Sequence, residues 1–316
     1  MRSARRGGGA LAGARAASVA AQAKVNLYLR VLAREASGYH QLETLFARLD
    51  LADRVVVRVR DDGHRALDCV GPAMPPAGLG AVESNLAYRA ALAYADAAGW
   101  PSGFEIAVEK HIPTGGGLGG GSADAGAVLR VLNALNPEPL PQQRLFALAS
   151  ALGADVPFMT AEAPLALAWG RGERMMAFPA LPARDVALLV PDFGVSTADA
   201  YGWLAERRAA EQEGSGARGP APRMLFPHQF VAWEPVYRLA ANDFEPVVLA
   251  RHPALAAARD ALAAAGARIA LMSGSGSTLF GVFDRPPDAA TLERAAGCAI
   301  RLTRTAERVV SVEPAD

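Results

Sequence analysis

The period of apolar and polar positions changes several times along this 316-residue chain, and each change marks an element. Residues 21–32 and 43–60 alternate apolar with polar and predict two strands, joined by a loop carrying Gly38, Tyr39 and His40. Residues 61–83 are rich in turn formers. Apolar residues then recur at helical spacing over 85–98 and stop at Gly99. A strand follows over 104–109, and a small-residue helix runs from Ser122 to about Leu135. A short helix over 141–152 stops at Gly153, and residues 165–169 and 174–178 read as a hairpin around Gly170, Arg171 and Gly172.

A second part begins near Leu181. Residues 186–190 read as a buried strand closed by Pro191, 196–213 as a helix, and 214–222 as a surface loop. An alanine-rich helix over 253–265 is capped at Gly266. Strands over 268–272 and 278–283 flank the turn Ser273, Gly274, Ser275, Gly276, Ser277. A helix over 288–297 and a last strand over 307–313 complete a β-α-β-β-α-β order, the split βαβ pattern. The division is residues 1–20 as a disordered extension, 21–180 as one domain and 181–316 as another. No internal repeat is evident.

Between the strand at 104–109 and its helix lie six glycines in the seven residues 115–121. Glycine allows positive φ and close approach of a ligand to the backbone. The following helix start presents unpaired N–H groups and the positive end of its dipole, so strand, loop and helix together form an anion site suited to phosphates. The loop lacks the lysine of a Walker A sequence. Gly115, Gly117 and Gly120 satisfy G-x-G-x-x-G, but residues 136–141 form a proline-rich break where a dinucleotide fold requires a second strand. No HRD or DFG motif of a protein kinase is present.

Composition narrows the field further. Half of the residues (51%) are hydrophobic and the formal net charge is zero, so nothing electrostatic points to nucleic acid or a membrane surface. Cys69 and Cys298 are isolated, which argues against a disulfide scaffold or a structural zinc site. No apolar run approaches the ~20 residues of a membrane span. A cytoplasmic protein is expected. The first 20 residues carry Arg2, Arg5, Arg6 and Arg15 and no acid, so a plastid transit peptide is the alternative to a disordered start.

Of the 32 basic residues, Lys24 and Lys110 alone are lysines, which draws attention to sites where a compact ammonium is needed. Period-two alternation puts Lys24 and Asn26 on one face of a strand. Lys110 precedes the glycine loop, where it either approaches a nucleotide or is a solvated strand-end lysine. Asn85, at the opening of a helix, is placed as its N-cap. Taken singly, Asp155 is a turn or capping aspartate, Tyr201 a packing residue and His40 a loop histidine.

The blocks AKVNLYL, LETLFARLDLAD, GGGLGGGSADAG, LGADVPF, GRGER and SGSGSTLF, in this order over residues 21–283, resemble the GHMP kinases. Within them the chain is most similar to the branch that phosphorylates a cytidine-diphosphate-linked methylerythritol. The resemblance implies a two-domain α/β fold, ribosomal-protein-S5-like at its N-terminal half and ferredoxin-like at its C-terminal half, with the active site between. It implies transfer of the ATP γ-phosphoryl group, with Mg²⁺, to the tertiary C2 hydroxyl of that substrate. Asp155 is then the base and Lys24 the stabilising cation. Pro113, Thr114, Gly115, Gly116, Gly117, Leu118, Gly119, Gly120, Gly121, Ser122 and Ala123 hold ATP together with Asn85 and Lys110, and Asn26, Tyr39, His40, Thr197 and Tyr201 hold the acceptor. No metal ligand is assigned, and oligomeric state is left open. Another small alcohol, homoserine or mevalonate, or a catalytically silent nucleotide binder are the rival functions. Two departures from the pattern stand at Ala123, usually serine, and Gly126, usually alanine.

Overall fold

A computed structural model describes residues 11, 13–34, 40–215 and 224–315. The chain opens with two long strands, β1 (Ala16–Arg34) and β2 (His40–Arg60), followed by β3 (Arg65–Val70), α1 (Leu86–Ala98) and β4 (Gly103–Glu109). Next come α2 (Gly120–Leu135), α3 (Gln142–Leu152), α4 (Val156–Thr160) and the hairpin β5 (Leu165–Gly170) and β6 (Arg174–Phe178). The second half contains β7 (Asp185–Val190), α5 (Thr197–Ser215), α6 (Trp233–Leu239), β8 (Ala241–Asn242), α7 (Glu245–Arg251) and α8 (Pro253–Ala264). It ends with β9 (Ile269–Met272), β10 (Leu279–Phe283), α9 (Ala289–Ala296), β11 (Ala299–Arg304) and β12 (Glu313–Pro314).

In the first sheet the order β12-β1-β2-β4-β3 is extended by β5 and β6 beside β2 and by β8 beside β1. Alternation builds it. Val55, Val57 and Val59 of β2 and Phe104, Ile106 and Val108 of β4 face inward, each worth roughly 1.5–3 kcal/mol on burial. Helix α2 lies against β1, β2, α1 and α4 and is buried on all sides from Ala123 to Leu132. Its small residues permit that depth. Gly126 is required there: a Cβ at this position would stand 2.6 Å from the carbonyl carbon of Met159 in α4.

The second sheet has the antiparallel order β11-β7-β10-β9. With β7, β9, β10 and β11 as its four strands, this is the ferredoxin-like arrangement expected from the split βαβ pattern.

Several boundaries differ from the expectation. β1 starts at Ala16, paired with Arg58, so residues 16–20 are a sheet strand and not part of a disordered extension. Residues 1–10 lie outside the described residues. Helix α2 begins two residues early, at Gly120, because Gly119 takes a left-handed turn (φ 73°) and acts as its N-cap. The last strand of the second sheet is β11, not 307–313. Beyond it the chain returns to the first sheet, where Ala17 and Ser18 pair with Pro314 and Glu313. A division at 180/181 therefore misplaces the C-terminal strand. β3, expected as turn-rich sequence, is a half-exposed edge strand parallel to β4.

Candidate active site

Lys24 sits on β1 between two irregularities in its pairing with β2, one between Gln22 and Lys24 and one between Asn26 and Tyr28. Bulges of this kind bend a strand and re-aim its side chains. Lys24 and Asn26 share a face as alternation predicted: the Lys24 ammonium donates to Asn26 Oδ1 at 2.7 Å. It also donates to the Gly117 carbonyl at 2.9 Å and lies 3.3 Å from Asp155 Oδ2. An ammonium has three protons, and these three acceptors use them all. Asn26 is fixed in turn by donating to Thr44 Oγ1, and Thr44 donates to the Tyr28 carbonyl.

Asp155 stands at the N-cap position of α4, yet its side chain makes no capping bond. The capping reading is thus replaced by a carboxylate turned to Lys24 and about a third exposed, open to an approaching hydroxyl. The far end of α4 is gripped by buried Arg48, whose Nη2 donates to the carbonyls of Phe158, Met159 and Ala161. Burial and the neighbouring charge of Arg130 hold the Arg48 pKa down at about 9. Together Arg48 and Gly126 set where α4, and with it Asp155, can lie.

The glycine loop borders a cleft of about 230 Å³ lined by residues 113–121 together with Leu79, Asn85, Leu86, Lys110 and Asp124. Gly115, Gly117 and Gly119 have positive φ. At Gly117 a side chain is excluded on a second ground, since a Cβ would come within 2.1 Å of the Ser273 carbonyl oxygen. Ser273 itself donates to Gly117 O at 2.9 Å, so the 273–277 turn of the C-terminal half is seated on the loop. That turn is anchored from below by Asn242, which donates to Met272 O and Gly274 O.

The remaining site residues divide. Asn85 is the N-cap of α1, accepting from the Ala87 N–H at 2.9 Å, and it also borders the cleft. Ser122 is half-buried in the first turn of α2. Ala123 does not border the cleft: it is buried and its N–H is taken by Gly119 O, leaving nothing to offer a phosphate. Lys110 is no solvated lysine. It is buried between Asp53 and Asp124, with Nζ 2.6 Å from Asp124 Oδ2. His40 stacks on Tyr201 with ring centroids 4.2 Å apart, and Tyr201 meets Phe244 edge-on. Burial and the nearby Asp155 charge push the Tyr201 hydroxyl up to about 12, which keeps it a neutral donor. Thr197 opens α5 and shares a hydrogen bond with Ser275 across to the C-terminal turn. Tyr39 lies outside the described residues.

Sequence reasoning passed over Asp53, Asp124, Thr44, Ser273 and Asn242. An acid inside a buried run of small residues was the available signal for Asp124. The others act through partners distant in sequence.

Residues 85–162 match the family described as GHMP kinases N terminal domain, and residues 232–300 match GHMP kinases C terminal. A 4-diphosphocytidyl-2-C-methyl-D-erythritol kinase of Citrifermentans bemidjiense is 39% identical over 84% of this chain and 88% of that one. The chain belongs to the GHMP kinases. A second relative with the same name, from Anaeromyxobacter dehalogenans, is 42% identical over 93% of this chain and 92% of its own. The crystal structure of a 4-(cytidine 5'-diphospho)-2C-methyl-D-erythritol kinase is 35% identical, with a TM-score of 0.66, covering 92% of this chain and 99% of that one. As a GHMP kinase the chain is an ATP-dependent phosphotransferase acting on an alcohol. Among the described residues no helix is long and apolar enough to cross a membrane, and no group of three or more His, Cys, Asp or Glu could hold a metal.

Proposed function

We propose that this GHMP kinase transfers the ATP γ-phosphoryl group to the C2 hydroxyl of 4-diphosphocytidyl-2-C-methyl-D-erythritol, a step of the non-mevalonate isoprenoid precursor pathway. The Lys24–Asp155 pair, 3.3 Å apart and tied to the glycine loop through Gly117, carries the reading. An alcohol needs a base within hydrogen-bond reach, and Asp155 is the partly exposed carboxylate at that point. It accepts the hydroxyl proton as the oxygen attacks phosphorus. Lys24 offsets the charge building on the reacting oxygens, and the free N–H groups at the start of α2 hold the phosphates. Phosphoryl transfer depends chiefly on such positioning and electrostatics.

Mg²⁺ accompanies ATP in this reading. Each of the two carboxylates nearest the cleft faces an ammonium, Asp155 that of Lys24 and Asp124, through Oδ2 alone, that of Lys110. Mg²⁺ at nucleotide sites usually keeps several waters and is bound through substrate phosphates plus one or two carboxylates, and no carboxylate of this cleft is assigned to it. His40 and Tyr201 give an aromatic surface on which a cytosine can stack. The shared names and 39–42% identity of the relatives support that acceptor.

The test is ADP release by purified protein with Mg-ATP and, in turn, 4-diphosphocytidyl-2-C-methyl-D-erythritol, homoserine, mevalonate or no acceptor. Release with the cytidyl substrate alone is expected. Turnover of another alcohol in its place would overturn the acceptor, and silence with all four would overturn the catalytic reading.

A further inference from the structure

The floor of the phosphate cleft carries more negative charge than a polyphosphate site should tolerate. Asp53 on β2, Lys110 after β4 and Asp124 in the second turn of α2 form a buried cluster. One ammonium against two carboxylates leaves one negative charge unbalanced. Asp53 is fully engaged: Oδ1 accepts from the backbone N–H groups of His111 at 2.5 Å and Ile112 at 2.8 Å, and Oδ2 meets Lys110. Asp124 is half engaged. Its Oδ2 accepts from Lys110 at 2.6 Å, while Oδ1 is buried without a hydrogen-bond partner.

Among the described residues, the surroundings offer Asp124 no second cation. β3 presents Cys69, a half-buried thiol raised by burial and by the charge of Asp124, with Asp68 behind it. α1 presents neutral Asn85 and Leu86, and the loop from Ile112 to Gly121 contains no charged residue. The His111 ring turns to Glu109 at the surface.

We propose that Asp124 and Lys110 are positioning residues of the nucleotide site: they clamp the two ends of the phosphate loop, and Asp124 takes a proton from solvent as the polyphosphate enters. This rests on the nucleotide phosphates lying in the glycine loop. The clamp follows from topology, because Lys110 precedes the loop, Asp124 follows it, and their ion pair joins residues 14 apart in sequence. The proton follows from the unbalanced charge. Burial pushes Asp124 up to about 7 against the pull of Lys110, with the Asp53 charge adding to the rise. A bound phosphate chain adds further negative charge beside it. Protonation of Oδ1 removes the excess and gives the orphaned oxygen an O–H to donate. The proton is drawn from the buffer and no other bond changes.

Calorimetric titration of the whole protein with ADP, in two buffers of different ionisation enthalpy near neutral pH, tests this. Wild type should take up a fraction of a proton per ADP more than Asp124→Asn, the titration of ADP itself cancelling in the comparison. Wild-type affinity should fall with rising pH, by up to about tenfold per unit above the Asp124 titration, while the variant loses that slope. Equal uptake or parallel profiles would overturn the proton step. If Asp124→Asn does not fold, infrared difference spectra of wild type must show a new protonated carboxyl on ADP binding, and their failure to do so is equally decisive. Lys110→Gln should weaken ADP at least tenfold, and unchanged affinity would remove the clamp. Gly117→Ala separates the underlying placement. It should abolish ADP binding, and intact binding would show that the nucleotide lies elsewhere and overturn the proposal with it.

Discussion

The Lys24 ammonium donates to the Gly117 carbonyl at 2.9 Å while standing 3.3 Å from Asp155. One side chain therefore registers the glycine loop against Asp155, so the proposed phosphate site and the proposed base are aligned through a common atom. Gly117 also receives Ser273 from the C-terminal half. The carbonyl of a single glycine thus joins three parts of the site.

Removing the base should separate binding from chemistry. Asp155→Asn is expected to keep ATP affinity within a few-fold and lose roughly 10²–10⁴ in turnover. Lys24→Met should lose a comparable amount, and the double variant little more than either, since residues acting as one unit are not additive. Single-turnover rates alongside nucleotide titrations would check this. Equal turnover in wild type and Asp155→Asn would sink the assignment.

The aromatic stack should govern the acceptor and not the donor. Tyr201→Ala is expected to raise KM for the cytidyl substrate by about 5–100-fold, corresponding to a stacking loss of about 1–3 kcal/mol. KM for ATP should stay put, and Tyr201→Phe should behave much like wild type. A shift in ATP KM equal to that of the acceptor would argue that the ring only supports the fold.

Packing at Gly126 should be felt at Asp155. Adding one methyl at this position presses on the Met159 backbone at 2.6 Å, and α4 carries Asp155, the proposed base, at its other end. Gly126→Ala should cost about 1–3 kcal/mol of stability, as overpacking does. It should also lower kcat out of proportion to that loss. Denaturant titration with steady-state kinetics would reveal either effect without the other.

Stability should depend on pH through Asp124. Its pKa is raised above the unfolded value by burial, so its contribution is fully present below the ordinary aspartate range. That contribution is lost as pH rises through about 7. Lys110 stays charged throughout this window. Wild type should therefore lose on the order of 2–4 kcal/mol relative to Asp124→Asn between pH 4 and 8. Urea midpoints across that range would show it, and parallel curves would contradict it.

Much of this was legible in the chain itself. Period-two alternation put Lys24 and Asn26 together, and the glycine run before a small-residue helix marked the loop that borders the cleft. The order of strands and helices after Leu181 foretold the β-α-β-β-α-β pattern of the second sheet, though its last strand is β11 and not the expected 307–313. What escaped reading has physical causes. The five-residue α4 and the two-residue β8 and β12 are too short to show a period. β3 is an edge strand with no fully buried face to impose alternation. Ala123 looked like part of the cradle until the left-handed Gly119 moved the helix start two residues earlier. The role of Lys110 depends on Asp53 and Asp124, which come together only when β2, β4 and α2 pack.

The pairing of Ala17 with Pro314 has a consequence for how the molecule can be cut. Cleaved between residues 180 and 181, the chain would not give two self-sufficient pieces. The first would lose β8 and β12, the two short strands that pair with the outer edge of β1, along with the Phe230 and Trp233 side chains that fill its core. The second would carry those strands away without the β1 that they pair with. The halves can be reunited as a working kinase only by rebuilding a shared sheet, so each is a template for the other.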